Sequence, residues 1–240
     1  GQAFAPALFS FYPALGAAGR GLPTPRADVP DEADWGPLSE PGKPMRRAAA
    51  TDLTTELAET RAWVDRAVIG LNLCPFAKAP QVKGQVRYVL SPARTPEALR
   101  ARLVDELKRL AAAPADRIET TLLVHPQVLT DFADYNDFLD VADGAVAELG
   151  LEGVIQVASF HPQYQFAHST ADDVSNATNR SPYPTLHLIR EESIDRAVAA
   201  FPAAESIFEA NIATMKALGA EGWAELQRQC RADVARPPEA

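Results

Sequence analysis

The 240-residue sequence has few cysteines, an excess of acidic over basic residues and no long apolar segment. Its two cysteines, Cys74 and Cys230, are far apart, which argues against a disulfide framework and favours a cytoplasmic location. No apolar run approaches the roughly 18 residues that a membrane-spanning helix needs. The net charge of −9 argues against a general nucleic-acid binder and against docking on anionic membranes, because both need a basic surface. A small anionic ligand remains compatible, since it needs only a local cation such as Arg180.

The common cofactor and catalytic motifs are also absent from the sequence. The chain contains no GxGxxG, P-loop, HExxH, CxxC or GxSxG pattern. Nicotinamide, flavin and nucleoside-triphosphate chemistry by these motifs is therefore unsupported, and the sequence indicates no particular cofactor.

Residues 1–44 differ from the rest of the chain because proline interrupts them repeatedly. Eight of the 20 prolines lie there, so neither helix nor strand can continue for long. A helical pattern begins only after Met45, and we expect the natural core to start near that residue, with residues 1–44 as an extension outside it. We expect residues 45–232 to form a single domain and residues 233–240 to fray.

The rest of the sequence alternates between helical and strand-like periodicity. Apolar spacings of three, four or seven predict helices, whereas short alternating or β-branched runs predict strands. The resulting order is helix, strand, helix, strand, helix, strand, long loop, strand and closing helices. The predicted elements lie near 53–71, 86–90, 96–110, 120–124, 132–149, 154–160, 186–189, 193–200, 205–218 and 221–231. The second helix is expected to begin at Pro96, with Thr95 as its cap.

This order predicts an α/β fold, a single layered domain with a four-stranded, mostly parallel sheet covered by helices. Two consecutive strand–helix–strand units favour three parallel strands with right-handed crossovers. The fourth strand follows a loop rather than a helix, so it can run antiparallel to its neighbour. The alternative is a ferredoxin-like α+β arrangement, because four strands are few for a doubly wound sheet.

The connection between the last two predicted strands, residues 162–184, is the most informative segment for function. It has no helix or strand period, and connections longer than about 12–15 residues inside compact domains are usually functional or disordered. Tyr164, Phe166 and Tyr183 give it aromatic anchors that disordered segments seldom carry. We therefore predict a functional loop over the carboxyl ends of the strands, where ligands bind in open α/β sheets.

His161 and Arg180 are the leading candidates in this segment. His161 follows a strand end and can act as a general acid or base, while Arg180 offers a planar fork for a carboxylate or phosphate. Each residue also has a purely structural interpretation. In that interpretation His161 only ends the strand, and Arg180 forms an ion pair with an aspartate of the loop. The leading hypothesis is a small-molecule enzyme, a hydrolase or group transferase acting on an anionic metabolite. Its predicted catalytic residues are His161, Asp173 and Cys74, and its predicted substrate-binding residues are Asn179, Arg180, Tyr183, Tyr164 and His187.

Cys74 and His187 enter two further hypotheses. His187 lies on the opposite face of its strand from Leu186 and Leu188, and is either a hydrogen-bonded core histidine or a member of the site. Cys74 is a candidate nucleophile or soft metal ligand, or else a small buried side chain. One alternative function is a metal site formed by His161, His187, Cys74 and a loop aspartate, suited to zinc or iron. The other is a non-catalytic binding module that uses the loop as a docking surface.

Four segments together resemble one protein family: LNLCPFAK (71–78), TTLLVHP (120–126), QVASFHPQYQF (156–166) and NATNRSPYPTLHLIREES (176–193). They are similar to the domain-of-unknown-function family numbered 1415, which has bacterial members and members in plastid-bearing organisms. The resemblance covers roughly residues 53–218 and implies no established reaction. It implies that the family's motif positions are occupied by Cys74, Pro75, Phe76, His161, Pro162, Tyr164, Phe166, Asn179, Arg180, Ser181, Pro182, Tyr183, Pro184, His187, Arg190 and Glu191.

Overall fold

The computed structural model describes residues 54–200 and 206–235. The predicted extension 1–44, Met45 and the last five residues of the predicted tail lie outside the described residues. The described elements are, in chain order, α1 (Thr55–Trp63), a π-helical turn (Val64–Ile69), α2 (Lys78–Lys83), β1 (Val86–Leu90), α3 (Pro96–Ala112), β2 (Thr120–Val124), α4 (Phe132–Glu148), β3 (Ile155–Phe160), a 3-10 helix (Val174–Asn179), β4 (Thr185–Arg190), α5 (Glu191–Ala200) and α6 (Ile207–Ala235).

The four strands form one mixed sheet in the order β1-β2-β4-β3. β1 and β2 are parallel neighbours, whereas β4 is antiparallel to both β2 and β3. The predicted α/β class is confirmed, but the prediction of a mostly parallel sheet is wrong, because two of the three strand pairings are antiparallel. The physical reason is that β4 returns after a loop and inserts between β2 and β3, which separates two strands that were predicted to be neighbours.

Helices cover both faces of the sheet, and each face has its own apolar core. α3 and α4 pack on one face, where Leu103 and Tyr135 are fully buried. α1, the π-helical turn and α6 pack on the other face, where Trp63 and Met215 are buried. This three-layer arrangement differs from the two-layer ferredoxin-like alternative. None of the described helices has the length and apolar character needed to cross a membrane.

Alternation along β4 decides which side chains reach which face. Leu186 and Leu188 join the core beneath α3 and α4. His187 points to the α1 and α6 face, where it contacts Phe160. Leu122 of β2, the register partner of His187, belongs to the same face.

Local signals account for several helix boundaries. Thr95 caps α3, its hydroxyl accepting a hydrogen bond from the Ala98 amide at 3.3 Å, and Pro96 takes the first helical position as predicted. Gly219 kinks α6 at φ 69°, inside the break predicted between residues 218 and 221. The first helix differs from its prediction, because a π-helical turn replaces regular helix from Val64 onward.

Candidate functional site

His161 lies just after β3 and packs against the start of α4. Its buried ring has its centroid 5.4 Å from that of Phe132 and 5.0 Å from that of Tyr135. Nδ1 of His161 accepts a hydrogen bond from the Gln163 amide (3.0 Å), so Nε2 carries the proton and donates to the Leu129 carbonyl (3.2 Å). Burial lowers the pKa of His161. Both ring nitrogens are thus used within the protein.

Arg180 and Asp173, predicted to clamp an anion and to act in catalysis, make contacts within the loop. Arg180 donates from Nε to the Tyr164 carbonyl (3.1 Å) and from Nη2 to the Ala171 carbonyl (2.7 Å). Desolvation lowers the pKa of Arg180. Asp173 begins the 3-10 helix and accepts from the Ser175 amide (2.9 Å), a bond that lowers the pKa of the Asp173 carboxyl. The Tyr164 side chain is buried.

Asn179 and Tyr183, two further predicted binding residues, also contact other parts of the protein. The Asn179 amide donates to the Ser159 carbonyl (3.3 Å) and accepts from the Thr178 hydroxyl (3.3 Å). The Tyr183 hydroxyl donates to the Glu59 carboxylate of α1 (2.8 Å). Desolvation, together with this carboxylate, raises the pKa of Tyr183 to about 12. These contacts fasten the loop to β3 and to α1.

The α1 and α6 side of the sheet borders a cavity of about 610 Å³, which we call the sheet-face cavity. The sheet forms one wall, and the π-helical turn, the segment 74–85 and α5 form others. Its lining residues include Trp63, Val64, Val68, Cys74, Pro75, Phe76, Lys83, Val86, Asp116, Glu119, Thr120, Leu122, Phe160, His187, Ile189, Ile194, Arg196 and Ala197.

His187 lies on the sheet wall of this cavity, and Thr120 of β2 fixes its tautomer. The Thr120 hydroxyl donates its single proton to the Leu188 carbonyl (2.6 Å). At the 2.6 Å contact between Thr120 Oγ1 and His187 Nε2, the imidazole is therefore the donor. Nδ1 of His187 is left as an acceptor, buried without a partner among the described residues. Burial lowers the pKa of His187 to about 4, so the ring is neutral at physiological pH.

Aromatic rings surround the polar atoms of the cavity. The Phe160 ring centroid is 5.2 Å from that of Trp63 at an interplanar angle of 70°, and 5.9 Å from that of His187 at 38°. Trp63 is 3% exposed, and its indole nitrogen is buried with no partner in the part of the chain described. Buried indole nitrogens usually donate a hydrogen bond. Among the described residues, the cavity walls thus include a hydrogen-bond donor without a partner, the Trp63 indole N–H, and an acceptor without a partner, Nδ1 of His187.

Cys74 reaches the same cavity from the segment that follows the π-helical turn. Its amide donates to the Val68 carbonyl (3.3 Å), and its carbonyl accepts from the Ala77 amide (3.1 Å). This segment folds across the sheet face and so brings Cys74 and His187 to one cavity. Burial raises the pKa of the Cys74 thiol, which keeps it protonated at neutral pH. A protonated thiol is a weak nucleophile and a weak metal ligand.

The charged side chains of the cavity lie at its rim and largely neutralise one another. Arg196 of α5 forms ion pairs with Glu119 (3.3 Å) and Glu192 (2.5 Å). Asp116 adds a further negative charge and Lys83 a further positive one, and both side chains are exposed. The buried polar groups of the cavity are therefore uncharged.

Two of the eight predicted site residues, His187 and Cys74, line the sheet-face cavity together. His161 lies on the other side of the sheet, because Phe132 and Tyr135 belong to the α3 and α4 core. The predicted residues that do not line the cavity are His161, Asp173, Asn179, Arg180, Tyr183 and Tyr164.

The alternative metal site needs His161, His187, Cys74 and a loop aspartate around one ion. Within residues 54–200 and 206–235, no group of three or more His, Cys, Asp or Glu side chains is placed to hold a metal ion. The sheet lies between His161 and His187. The described residues therefore provide no set of ligands for the alternative metal site.

Thr120, Trp63 and Phe160 shape the cavity but were not predicted as site residues. Alternation along β2 is the signal for Thr120, since it places this hydroxyl on the same face as Leu122. Its contact with His187 depends on the antiparallel pairing of β2 with β4, which a local pattern does not reveal. Trp63 precedes the π-helical turn, where regular helical spacing no longer holds.

The fold and the cavity define an α/β protein with helices on both faces of a mixed four-stranded sheet. The family model described as Protein of unknown function (DUF1415) matches residues 55–225. The chain belongs to this family, and the predicted membership is confirmed. Neither a curated protein nor a solved structure matches the chain.

Proposed function

We propose that the protein binds a small, largely apolar organic molecule in the sheet-face cavity. Its volume of about 610 Å³ falls within the roughly 300–1,000 Å³ typical of small-molecule sites, whose walls are usually apolar with a few polar groups. The observation that carries this proposal is the buried Nδ1 of His187, an acceptor held in one tautomer without a partner among the described residues. Buried polar atoms without partners are uncommon in native proteins, and a ligand would satisfy this one.

The π-helical turn supports the same function. Val64 and Val68 of this turn line the cavity, next to Trp63 at the end of α1. π-Helical turns are rare and frequently occur at functional sites, because they insert an extra residue and so redirect the side chains of a helix. Here the redirected side chains are those of a cavity wall.

Ligand binding fits the polar groups of the cavity better than acid–base or thiol catalysis. With a pKa of about 4, His187 is a weak base at neutral pH, whereas a general base works best near the operating pH. Its partner Thr120 is uncharged and cannot stabilise an imidazolium as a carboxylate does. The raised pKa of Cys74 keeps its thiol protonated. We therefore favour a binding function over the predicted hydrolase or group transferase.

A substitution that fills the cavity tests this function. Ala197 of α5 lines the cavity, and Ala197→Phe would place a ring inside it. Ala199 lies two residues further along the same helix, is exposed and does not line the cavity, so Ala199→Phe is the matched control. Calorimetric titration with indole and 1-methylindole should show binding to the unmodified protein and to A199F, weakened by at least about tenfold in A197F.

Circular dichroism and chemical denaturation would establish that both variants are folded. Equal binding of the two compounds to A197F and to the unmodified protein would place them outside the cavity and contradict the proposed function. The absence of binding to the unmodified protein would contradict it as well.

A further inference from the structure

We infer that the ligand is an uncharged aromatic molecule that donates an O–H or N–H hydrogen bond to Nδ1 of His187. This inference rests on the proposed function and narrows it to a chemical class. The sequence predicted an anionic metabolite bound by Arg180, whereas the ligand inferred for the cavity is a neutral molecule that donates a hydrogen bond.

The requirement for a donor follows from the fixed tautomer of His187. Because Thr120 holds the imidazole proton on Nε2, Nδ1 presents only a lone pair. Burial keeps the pKa of His187 low, so the ring does not gain a second proton at neutral pH. A ligand carbonyl or carboxylate oxygen facing Nδ1 would bring two lone pairs together, whereas an O–H or N–H group would form a hydrogen bond.

The aromatic character of the ligand is inferred from the aromatic side chains that line the sheet-face cavity. Trp63 and Phe160 stand nearly perpendicular to each other, and Phe76 also lines the cavity. Ring pairs prefer offset-stacked or edge-to-face contacts, which a flat ligand ring can make with these side chains. Trp63 also contributes an unpartnered indole N–H, so a ring that carries an acceptor as well as a donor satisfies both buried nitrogens.

That the ligand carries no net charge is inferred from the positions of the ionised side chains around the cavity. Arg196 is already paired with Glu119 and Glu192, and Asp116 adds negative charge at the rim. The remaining lining cation, Lys83, is exposed. An anion at the depth of His187 would lose its hydration without gaining a buried counter-ion, and such desolvation is costly.

Three compounds with the same bicyclic ring distinguish these requirements. Indole is neutral and has an N–H donor, 1-methylindole is neutral without a donor, and indole-5-carboxylate is an anion with a donor. Each is titrated calorimetrically into the unmodified protein and into two variants. His187→Gln removes the acceptor at the Nδ1 position, while His187→Asn retains an oxygen close to that position.

Indole should bind about tenfold more tightly than either of the other two compounds. His187→Gln should abolish the preference for indole over 1-methylindole, and His187→Asn should largely preserve it. A variant that fails to fold would bind neither indole nor 1-methylindole, and circular dichroism would detect its loss of secondary structure.

Two results would overturn the inferred class while leaving the proposed function intact. One is equal affinity of the unmodified protein for indole and 1-methylindole, with binding still blocked by A197F. The other is tighter binding of the carboxylate. If none of the three compounds binds, the proposed function fails together with the inference.

Discussion

Thr120 and His187 lie on neighbouring strands, and their contact determines which ligand groups the cavity can recognise. His187 donates to Thr120 and Thr120 donates to the Leu188 carbonyl, each across 2.6 Å. Without the hydroxyl, a neutral imidazole could carry its proton on either nitrogen. One hydroxyl therefore makes Nδ1 of His187 a dedicated acceptor.

Replacing Thr120 with valine should destabilise the protein. The change removes the hydroxyl but keeps the shape of the side chain, so His187 Nε2 loses its buried partner and the Leu188 carbonyl loses one hydrogen bond. We expect the free energy of unfolding, measured by urea denaturation, to fall by about 2 kcal/mol. The preference of the protein for indole over 1-methylindole should decrease as well, because the tautomer is no longer fixed.

Thr121, the next residue of β2, provides the matched control. Its hydroxyl is fully buried and has no hydrogen-bond partner among the described residues. Valine at this position removes an unsatisfied polar group, so the free energy of unfolding should stay unchanged or rise. If Thr120→Val and Thr121→Val destabilise the protein equally, the hydrogen-bonded chain through Thr120 does not operate.

What the sequence reveals about these residues depends on how local their contacts are. Its alternating pattern predicts that His187 faces away from Leu186 and Leu188, and the structure confirms this orientation. It does not reveal the Thr120 contact, because that contact requires β4 to pair with β2. The loop residues Asn179 and Arg180 have suggestive chemistry, but their partners are backbone carbonyls that no pattern of residue types identifies.

The elements of secondary structure show the same division between local and long-range information. β2 spans Thr120–Val124 as predicted, and α3 begins at Pro96 after its capping threonine, because periodicity and capping act within a few residues. The position of β4 between β2 and β3 is set by packing on both faces of the sheet. The sheet was therefore wrongly predicted to be mostly parallel, although the strands themselves were located.

The loop between β3 and β4 is built around the side chain of Asn176. Its Oδ1 accepts from the Phe166 amide (3.0 Å) and the Ser169 hydroxyl (2.7 Å), and its Nδ2 donates to the Thr170 carbonyl (2.7 Å). Asn176→Ala removes these three hydrogen bonds, so the free energy of unfolding should fall by about 3 kcal/mol. Chemical denaturation measures the loss, and amide hydrogen exchange should locate the largest change within residues 162–179.

Asn136 on α4 provides a control for this substitution. Alanine is a better helix former than asparagine, so Asn136→Ala should leave stability unchanged or slightly higher. If Asn176→Ala is no more destabilising than Asn136→Ala, the network does not hold the loop. If Asn176→Ala instead abolishes indole binding without altering amide hydrogen exchange in the loop, the ligand site lies under the loop rather than in the sheet-face cavity.

The whole molecule should lose stability in mild acid, because three of its four histidines are buried or line the interior. Burial lowers the pKa of His125 and of His187 from 6.5 to about 4, and it also lowers the pKa of His161. The unfolded chain takes up protons on these side chains near pH 6.5, whereas the folded protein protonates His125 and His187 only near pH 4, and His161 below its ordinary pKa. The unfolded state therefore binds more protons in this range, and the free energy of unfolding should decrease as the pH falls from about 6.5 to about 4.

Urea denaturation at several pH values measures this dependence. Each buried histidine contributes up to about 1.4 kcal/mol per pH unit, so His125→Asn should reduce the slope by about that amount. His168 is exposed on the loop at φ 69°, a conformation that asparagine tolerates, so His168→Asn should leave the slope unchanged. The same slope in all three proteins would contradict the buried, neutral state of His125.

The most direct test of ligand recognition by the sheet-face cavity is the 15N NMR spectrum of the His187 ring, recorded at neutral pH with and without indole. The free protein should show a neutral imidazole with its proton on Nε2 and an unprotonated Nδ1. Addition of indole should shift the Nδ1 resonance toward that of a hydrogen-bonded nitrogen, and A197F should abolish the shift. A ring protonated on Nδ1, or an Nδ1 resonance that indole leaves unchanged, would contradict His187 as the acceptor at the centre of this site.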